Sequence, residues 1–578
     1  MNSVPAGAFA TASLEDPFYY LTNFAFVLGW VAERHGDLLD DAERRFLTTF
    51  EALPRAAQAL LVRMVMRKGE HFRTSRLVYP EISAEIGATS AALAPLVEAG
   101  FVEPDPELSF DELCRQLRLA ELRRVFAAEL AAAGLGRATK TALREALAPR
   151  FPDARRLAAW WPGAPEGERI VRLTVMATCD RLRLMFFGNL RQDWAEFVLA
   201  ELGVQRFERV AFTADSRAFQ RRCEVDAYLA LHRLGERLEA GESPSALNDA
   251  LPAVPEDNAW LVARRQRLGV ALGRQAERAG EVELALTLYR EAGWPVAAGG
   301  AAARIRRLRL LERQGAHAEA HALAEALAET GPGEAEAQAL ARLRPRLRRR
   351  LGLTPLPREA ESAPERFELC LPVSPGVERA VCEHLHRDEA PVAYVENALF
   401  TGLFGLLCWE ALFAPLPGAF FHPFHTGPAD LYREDFVARR RERFAACLAR
   451  LDDGRYREAI RGTWRAKHGI ASPFVHWERL DEPLLDQALA CLPAEHLRAC
   501  CERLLADLKA NRAGLPDLIQ FLPEAAPGEP RYRLIEVKGP GDRLQDNQRR
   551  WLAFFHAQGM PAAVCHVRWR TPPGTADG

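Results

Sequence analysis

The sequence predicts a multidomain protein of α + α/β class, in which a long helical part precedes a C-terminal α/β domain. A chain of 578 residues is too long for one hydrophobic core, so three or four domains are expected. Apolar residues recur at helical spacing through most of the chain, whereas the C-terminal segment has the pattern strand, loop, strand, helix and strand. A segment containing Pro and Glu at 354–365 marks the boundary between the two parts.

Charge, cysteine content and hydropathy restrict the class of protein. The 76 Lys and Arg residues nearly balance the 78 Asp and Glu residues, which neither requires nor excludes a nucleic-acid partner. The 11 cysteines are scattered without C-x-x-C spacing, and no secretory signal opens the chain. These features predict a reduced, cytoplasmic protein. No apolar run is long enough to span a bilayer, so no membrane partner is expected.

The first predicted domain, residues 1–104, consists of helices with aromatic and aliphatic faces. Within it, basic side chains interleave with apolar positions in a way that could face a DNA backbone. A solvated helix face explains the same pattern equally well. The basic residues are Arg63, Arg67, Lys68, Arg73 and Arg76.

The second predicted domain, residues 105–155, contains two amphipathic helices around a turn at Gly134, Leu135 and Gly136. The second helix is expected to begin near Thr139. This hairpin resembles a SAP module, a small DNA-binding unit of two helices. An ordinary helical hairpin is the alternative.

The third predicted domain, residues 156–360, is helical and repetitive. Gly280 is followed five residues later by Ala285, and Gly315 is followed in the same way by Ala320. The repeat length is close to the tetratricopeptide period of ~34 residues. A short helical solenoid is therefore predicted, with small residues where paired helices approach closely.

The fourth predicted domain, residues 361–578, contains the candidate chemistry. The segment 394–413 is apolar nearly all round and predicts a buried helix. Further on, Asp517 starts one predicted strand, and Glu536 and Lys538 share one face of the next strand. If these strands are neighbours, Asp517 and Glu536 converge at one end of the sheet.

A cation would relieve the repulsion between two adjacent carboxylates. Oxygen ligands favour a hard ion such as Mg²⁺ or Mn²⁺, and Lys538 could bind a water or a phosphate oxygen beside it. These are the parts that phosphodiester hydrolysis requires. The alternative is that the charges only decorate an edge strand.

The helix that follows should begin near Asp542, with Gln545 in the capping-box position. Gln548 is the polar member of an otherwise apolar stripe on this helix. We expect its amide to point to the site; the alternative is that it satisfies a backbone group in the core.

Together these residues form an ordered array that resembles the VRR-NUC branch of the PD-(D/E)xK nucleases, which have a restriction-endonuclease-like α/β fold. The array consists of Gly514-Leu515-Pro516-Asp517, Glu536-Val537-Lys538-Gly539-Pro540-Gly541-Asp542-Arg543-Leu544, Gln548 and the run 563–569. The apolar helix, the SAP-like hairpin and the repeats occur in the order found in Fanconi-associated nucleases. The N-terminal helices are similar to those of the bacterial members.

The resemblance implies a role for each site residue. Asp517 and Glu536 match the paired metal ligands, and the backbone carbonyl of Val537 matches a further ligand. Glu396, expected in the first turn of the buried helix, matches an additional acidic ligand; complementing the helix dipole is its alternative role.

Three more residues match positions of that family. Lys538 matches the catalytic lysine, and Gln548 matches the motif's helix glutamine. Arg181 loosely aligns with an arginine near the 5′ end of the DNA.

The resemblance also implies a function. It is a structure-selective DNA nuclease that uses one or two Mg²⁺ or Mn²⁺ ions and acts in the bacterial cytoplasm at the nucleoid. The expected substrates are branched or flapped double-stranded DNA, cut by 5′ flap endonuclease and 5′-to-3′ exonuclease activity in the repair of interstrand crosslinks. A protein partner on the helical repeats is a further expectation. The alternatives are a Holliday-junction or restriction-type nuclease, and an inactive helical-repeat adaptor.

Overall fold

The computed structural model describes residues 16–194, 206–293, 300–357 and 364–570. The chain divides into two compact units, one formed by 1–205 with 217–225 and the other by 206–216 with 226–578. Part of the predicted linker, 358–363, lies outside the described residues.

The first unit combines short helices with a small antiparallel sheet. Its strands are β1 (His71–Arg73), β2 (Val102–Glu103) and β3 (Ile170–Leu173), in the order β1-β3-β2. Because β3 pairs with both earlier strands, residues beyond 155 belong to this compact unit, although the predicted boundary between domains lies at 155. The α-helices are Tyr19–His35, Asp41–Ala52, Arg55–Val65, Pro80–Ile86, Leu93–Glu98, Phe110–Gln116, Leu119–Val125, Ala127–Ala132, Lys140–Leu147, Leu157–Trp160 and Met176–Phe187.

The predicted hairpin is present in this unit. Gly134 has a φ of +67°, which a turn residue without a Cβ adopts without strain. The helix Lys140–Leu147 begins where expected, because the Thr139 side chain accepts a hydrogen bond from the amide of Ala142 at 3.3 Å.

From Pro244–Asp249 to Glu334–Arg350, the helical repeats of the second unit pack in sequence, each helix against the next. Gly280 and Gly315 have φ values of +80° and +76° and lie in turns between helices, while Ala285 and Ala320 are fully buried. This is the close helix approach that the repeat pattern predicts. The helices of this region are Arg222–Glu239, Pro244–Asp249, Ala259–Ala279, Val282–Ala292, Ala301–Arg313, His317–Glu329 and Glu334–Arg350.

A five-stranded mixed sheet forms the α/β core of the second unit. The strands are β4 (Glu365–Pro372), β5 (Val392–Tyr394), β6 (Leu518–Phe521), β7 (Tyr532–Lys538) and β8 (Ala562–Arg570). Their order is β4-β8-β7-β6-β5, with β8 parallel to β4 and β7, and β6 antiparallel to β5 and β7. The predicted order of strand, loop, strand, helix and strand is confirmed.

Helices cover this sheet and fill the long connection from β5 to β6. The apolar helix predicted at 394–413 is buried but shorter, because β5 occupies its first residues; it consists of Leu399–Leu407 and Trp409–Leu412. Its Gly402 and Gly405 allow close packing, since an added Cβ would lie 2.8 Å from Leu480 and from Phe474. The other α-helices are Val377–Leu385, Arg441–Ala449, Tyr456–Lys467, Glu482–Cys491, Ala494–Ala506, Leu508–Asn511 and Asp546–Ala557.

The last repeat helix, Glu334–Arg350, packs on helices of the α/β core through polar contacts. Glu334 accepts hydrogen bonds from Arg503 at 2.6 Å and from Asn511 at 3.2 Å. Arg342 makes a two-pronged ion pair with Asp546, the first residue of the helix Asp546–Ala557, with both distances 2.5 Å. The repeats and the α/β core are therefore joined by specific side chains.

The structure also shows the state of the cysteines and the character of the longer helices. All 11 cysteines are free thiols, including the adjacent Cys500 and Cys501. Among the helices that the structure describes, none combines the length and apolarity needed to cross a membrane.

Candidate active site

The pairing of β6 with β7 brings two carboxylates together. Leu518 lies opposite Ile535 in the antiparallel register, so the residues one step further out, Asp517 and Glu536, meet at the same end of the sheet. Asp517 accepts a hydrogen bond at Oδ2 from the Val537 amide at 2.8 Å. Asp517 and Glu536 are 8 % and 1 % exposed, so both carboxyl groups are removed from bulk water.

Burial makes the charged forms of both groups costly. It raises the pKa of Glu536 to about 8, and the neighbouring charge of Asp517 adds to the effect. Burial likewise raises the pKa of Asp517 to about 6, against the lowering effects of the Val537 amide and of Lys538. Metal-free protein near neutral pH therefore retains a proton on Glu536.

Lys538 is the cation closest to this pair. Its Nζ lies 2.8 Å from Oε1 of Glu536 and its side chain is 10 % exposed. Apart from this ammonium, Oε1 is a buried oxygen with no hydrogen-bond donor among the described residues. A buried oxygen of this kind suits a cation, because a metal ion would satisfy the lone pair that Lys538 does not meet.

Glu396 lies beside these groups but outside the helix in which it was predicted, and that part of the prediction is wrong. The helix begins only at Leu399, because the preceding chain forms β5 and then turns at Asn397, which has a φ of +52°. The Asn397 side chain accepts a hydrogen bond from the amide of Leu515 at 3.1 Å. This bond ties the Glu396 turn to the loop that leads into Asp517.

The carboxylate of Glu396 faces local donors in this conformation. Oε2 accepts a hydrogen bond from the hydroxyl of Tyr394, and Oε1 accepts one from the side-chain Nδ2 of Asn397 at 3.2 Å. Its charge still raises the pKa values of Asp517 and Glu536, so it lies within electrostatic range of both. Across the described ranges, no three His, Cys, Asp or Glu side chains already form a metal cage; a rotation of the Glu396 side chain would be needed to complete one here.

The helix after β7 begins later than predicted. Its first residue is Asp546 and its N-cap is Gln545, so Asp542 is not the cap; its carboxylate instead accepts a hydrogen bond from the Gly539 amide at 3.0 Å. Gln548 is half-buried, and its Oε1 accepts a hydrogen bond from the Gln545 amide at 2.8 Å. This oxygen therefore satisfies a backbone group, but at the exposed start of the helix and not in the core as the alternative for Gln548 proposed.

The basic residues predicted to contact DNA fall into two groups, those that are exposed and those that are paired with acidic side chains. Arg67, Lys68 and Arg76 are exposed. By contrast, Arg63 pairs with Glu81 at 2.7 Å, and Arg73, 6 % exposed, pairs with Glu121 and Glu168.

Arg181 is also occupied within the protein. Its Nε lies 2.6 Å from Oε1 of Glu43, a fully buried carboxylate that Arg222 approaches to 2.6 Å from the other side. Arg63, Arg73 and Arg181 are therefore paired within the protein in this conformation, and removing any one of them would leave an acidic side chain without its partner.

Comparison with known proteins covers nearly the whole chain. The VRR-NUC domain family matches residues 451–569, the FAN1 HTH domain matches 18–103, and the Fanconi anemia-associated nuclease SAP domain matches 107–160. A Fanconi-associated nuclease 1 homolog of Pseudomonas aeruginosa is 53% identical over 560 residues, covering 96% of this chain and 97% of that protein. The chain belongs to the Fanconi-associated nuclease 1 family. Its C-terminal domain is a PD-(D/E)xK-type hydrolase of the VRR-NUC class, and that class implies dependence on a divalent metal ion.

Other members and a solved structure agree with this assignment. Human Fanconi-associated nuclease 1 is 34% identical over 179 residues, which are 30% of this chain and 17% of the human protein. The crystal structure of paFAN1 bound to 2nt 5′ flap DNA with gap has a TM-score of 0.89 and 52% sequence identity, covering 97% of this chain and 100% of that one. The SAP and HTH regions confirm the predicted helical N-terminal architecture.

Proposed function

We propose that this protein is a metal-dependent, structure-selective DNA nuclease that cuts near 5′ flaps, degrades DNA from 5′ to 3′ and acts in repair of interstrand crosslinks. The observation that carries the proposal is the buried Asp517–Glu536 pair with Lys538 beside it, at one end of a VRR-NUC sheet. Such a pair is costly to maintain unless it has a ligand. The paFAN1 complexes with 1nt and 2nt 5′ flap DNA support flapped DNA as the substrate.

Asp517, Glu536, Glu396 and the backbone carbonyl of Val537 would hold one or two ions, with Mg²⁺ or Mn²⁺ favoured by oxygen-only ligands. When bound, the ion would supply Lewis acidity toward the scissile phosphate and the attacking water. Binding it requires Glu536 to lose its proton, so the raised pKa of Glu536 makes ion binding compete with protonation and weaken as the pH falls.

Lys538 would orient the water and stabilise the negative charge that develops on the phosphate. Its ammonium group, 2.8 Å from Glu536, is already next to the carboxylate that would bind the metal. The side-chain amide nitrogen of Gln548 would face the substrate, while its Oε1 accepts the hydrogen bond from the Gln545 amide at the start of the helix.

The proposed domains are 1–104, 105–155, 156–360 and 361–578. Arg67, Lys68 and Arg76 are the proposed phosphate contacts of the first domain, since their side chains are exposed. The repeats of the third domain would offer a surface for a protein partner.

The test is cleavage of end-labelled DNA in three forms, a 5′ flap, a four-way junction and a plain duplex, with Mg²⁺ or Mn²⁺ added after chelation. We expect flap cleavage near the junction by the wild type, and a loss of at least 100-fold in Asp517→Ala and in Lys538→Ala. Preferential cutting of the four-way junction would indicate a resolvase instead. Equal activity in all three proteins would overturn the proposed site, and no activity in any would indicate an inactive adaptor.

A further inference from the structure

An arginine lies next to the turn that contains Glu396. Arg479 is exposed, and its guanidinium lies 5.7 Å from the ring centroid of Tyr394. The same tyrosine donates a hydrogen bond from its hydroxyl to Glu396. Arg479, Tyr394 and Glu396 therefore form a chain of contacts that runs from the surface to the carboxylates.

Arg479 is held in place by its backbone. Its amide donates a hydrogen bond to the carbonyl of His476 at 3.0 Å, and the next carbonyl, that of Leu480, accepts one from the Trp464 indole at 3.0 Å. Leu480 is fully buried against Gly402, in the helix that follows Glu396. The base of the Arg479 side chain is thus fixed relative to the site.

The charge of Arg479 has no acidic partner in the part of the chain that the structure describes. Other arginines of this unit differ, because Arg503 pairs with Glu334, and Arg439 and Arg440 pair with Asp430. An exposed, unpaired guanidinium beside an acidic site is available for a ligand with negative charge.

Tyr394 is exposed to 41 %, which is unusual for a large aromatic side chain on a strand. It lies on β5, an edge strand of the sheet. An aromatic face next to an arginine is the combination that contacts nucleic-acid strands, the ring through stacking and the arginine through phosphate.

We propose that Arg479 binds a DNA phosphate adjacent to the scissile one and that Tyr394 is a positioning residue that holds Glu396 away from the metal until DNA arrives. This rests on the proposed nuclease function. Phosphate binding would draw the Arg479 guanidinium toward the DNA, and Glu396, once released from the Tyr394 hydroxyl, would be one of the residues that hold the ion. Without Arg479, less positive charge would offset the repulsion between the DNA backbone and the ionised carboxylates of the site.

The test compares Arg479→Ala, Arg479→Lys and Tyr394→Phe with the wild type on a 5′ flap substrate. The control is Arg531→Ala, because Arg531 is also exposed but precedes β7 at the opposite end from Lys538, about 23 Å away at about 3.3 Å per residue. Since Arg531 donates hydrogen bonds to the carbonyls of Ala490 and Pro523, the thermal stability of each variant is measured as well. Flap binding is measured from 50 to 200 mM salt with Ca²⁺ in place of the catalytic ion, and Mn²⁺ binding is measured separately without DNA.

We expect Arg479→Ala to weaken flap binding about tenfold and to reduce the salt slope by about 1. The lysine variant should recover part of this loss, and Mn²⁺ affinity without DNA should not change. Tyr394→Phe should bind Mn²⁺ more tightly without DNA, by a few fold, since Glu396 loses a competing hydrogen bond.

Two results would overturn the inference. The first is that Arg479→Ala binds the flap with the same affinity and the same salt dependence as Arg531→Ala, while the wild type cleaves the flap. The other is Mn²⁺ affinity of Tyr394→Phe equal to or weaker than that of the wild type. If the wild type itself fails to cleave with any divalent ion, the proposed function fails instead, so the two failures are distinguishable.

Discussion

Replacing Glu536 with Gln should make the metal-free protein more stable while abolishing its activity. The folded protein holds the Glu536 proton more tightly than an unfolded chain does, with a pKa of about 8 against an ordinary glutamate pKa of 4.5. Metal-free wild type therefore loses stability as the pH rises from about 4.5 to 8. At about 1.4 kcal/mol for each pKa unit, the full effect is on the order of 5 kcal/mol.

The glutamine variant has no such charge to bury, so its stability should not fall over that pH range for this reason. It also leaves Lys538 without its 2.8 Å partner, so we expect a net gain at pH 9 of about 2–4 kcal/mol. At about 2 °C for each kcal/mol in a large domain, the melting temperature should rise by about 4–8 °C at pH 9. At pH 4.5 the two proteins should melt together.

The assay is calorimetric unfolding in EDTA at pH 5, 7 and 9, repeated with excess Mn²⁺. Glu524→Gln serves as the control, because Glu524 is exposed in the loop between β6 and β7. Excess Mn²⁺ at about 100 times its Kd should stabilise the wild type by about 2.7 kcal/mol and the Glu536→Gln variant by much less. Parallel loss of stability in both proteins between pH 5 and 9, or equal stabilisation by Mn²⁺, would refute this reasoning.

Three further predictions follow from the same coordinates. Mn²⁺ affinity should rise about tenfold per pH unit between pH 6 and 8, with release of about one proton per ion, because the ion displaces the Glu536 proton. Titration calorimetry in two buffers of different ionisation enthalpy measures the affinity and the proton release. A pH-independent affinity would contradict the prediction. Gly514→Ala should reduce cleavage at least tenfold, because Gly514 has a φ of +92° and an added Cβ would lie 2.7 Å from Asn547. Gly528→Ala, at the same φ but in open space, should leave cleavage intact. Equal cleavage rates in the two variants would show that the close approach of Asn547 to Gly514 does not matter for the site. Glu334→Ala should cost about 1–3 kcal/mol in urea unfolding, since the half-buried Arg503 loses its acidic partner and the buried Asn511 loses one of its two acceptors. A change below about 0.5 kcal/mol would show that the contact contributes little.

The sequence was sufficient to predict the fold class and the core of the site, for identifiable physical reasons. The side-chain alternation of a strand places Glu536 and Lys538 on one face, and the short connection between two strands makes them neighbours, which brings Asp517 to Glu536. The helical hairpin follows from local signals, the Gly134 turn and the Thr139 cap.

The turn at Glu396 could not be predicted in the same way. Residues 392–394 form a strand only because β6, more than 120 residues later in the sequence, supplies the pairing partner. A continuous apolar run favours a helix when judged locally. The Asn397 in that run was the available signal, because Asn tolerates positive φ better than most residues.

The surroundings of the arginines also depended on distant parts of the chain. Arg181 meets Glu43, which is 138 residues earlier, and no spacing rule reveals such a pair. Arg479 has no motif around it in the sequence, and its significance comes from its position over Tyr394. The helix boundary was missed for a local reason, since Asp542 accepts a hydrogen bond from the Gly539 amide within its own turn instead of capping the helix.

The most direct measurement is anomalous diffraction from Mn²⁺ in crystals of the protein with an uncleaved flap DNA. The account predicts at least one Mn²⁺ peak bound by oxygens of Asp517, Glu536 and Glu396, with the Glu396 side chain turned away from Tyr394. A catalytically active crystal with no Mn²⁺ at these carboxylates, or with Glu396 still bonded to the Tyr394 hydroxyl, would contradict it.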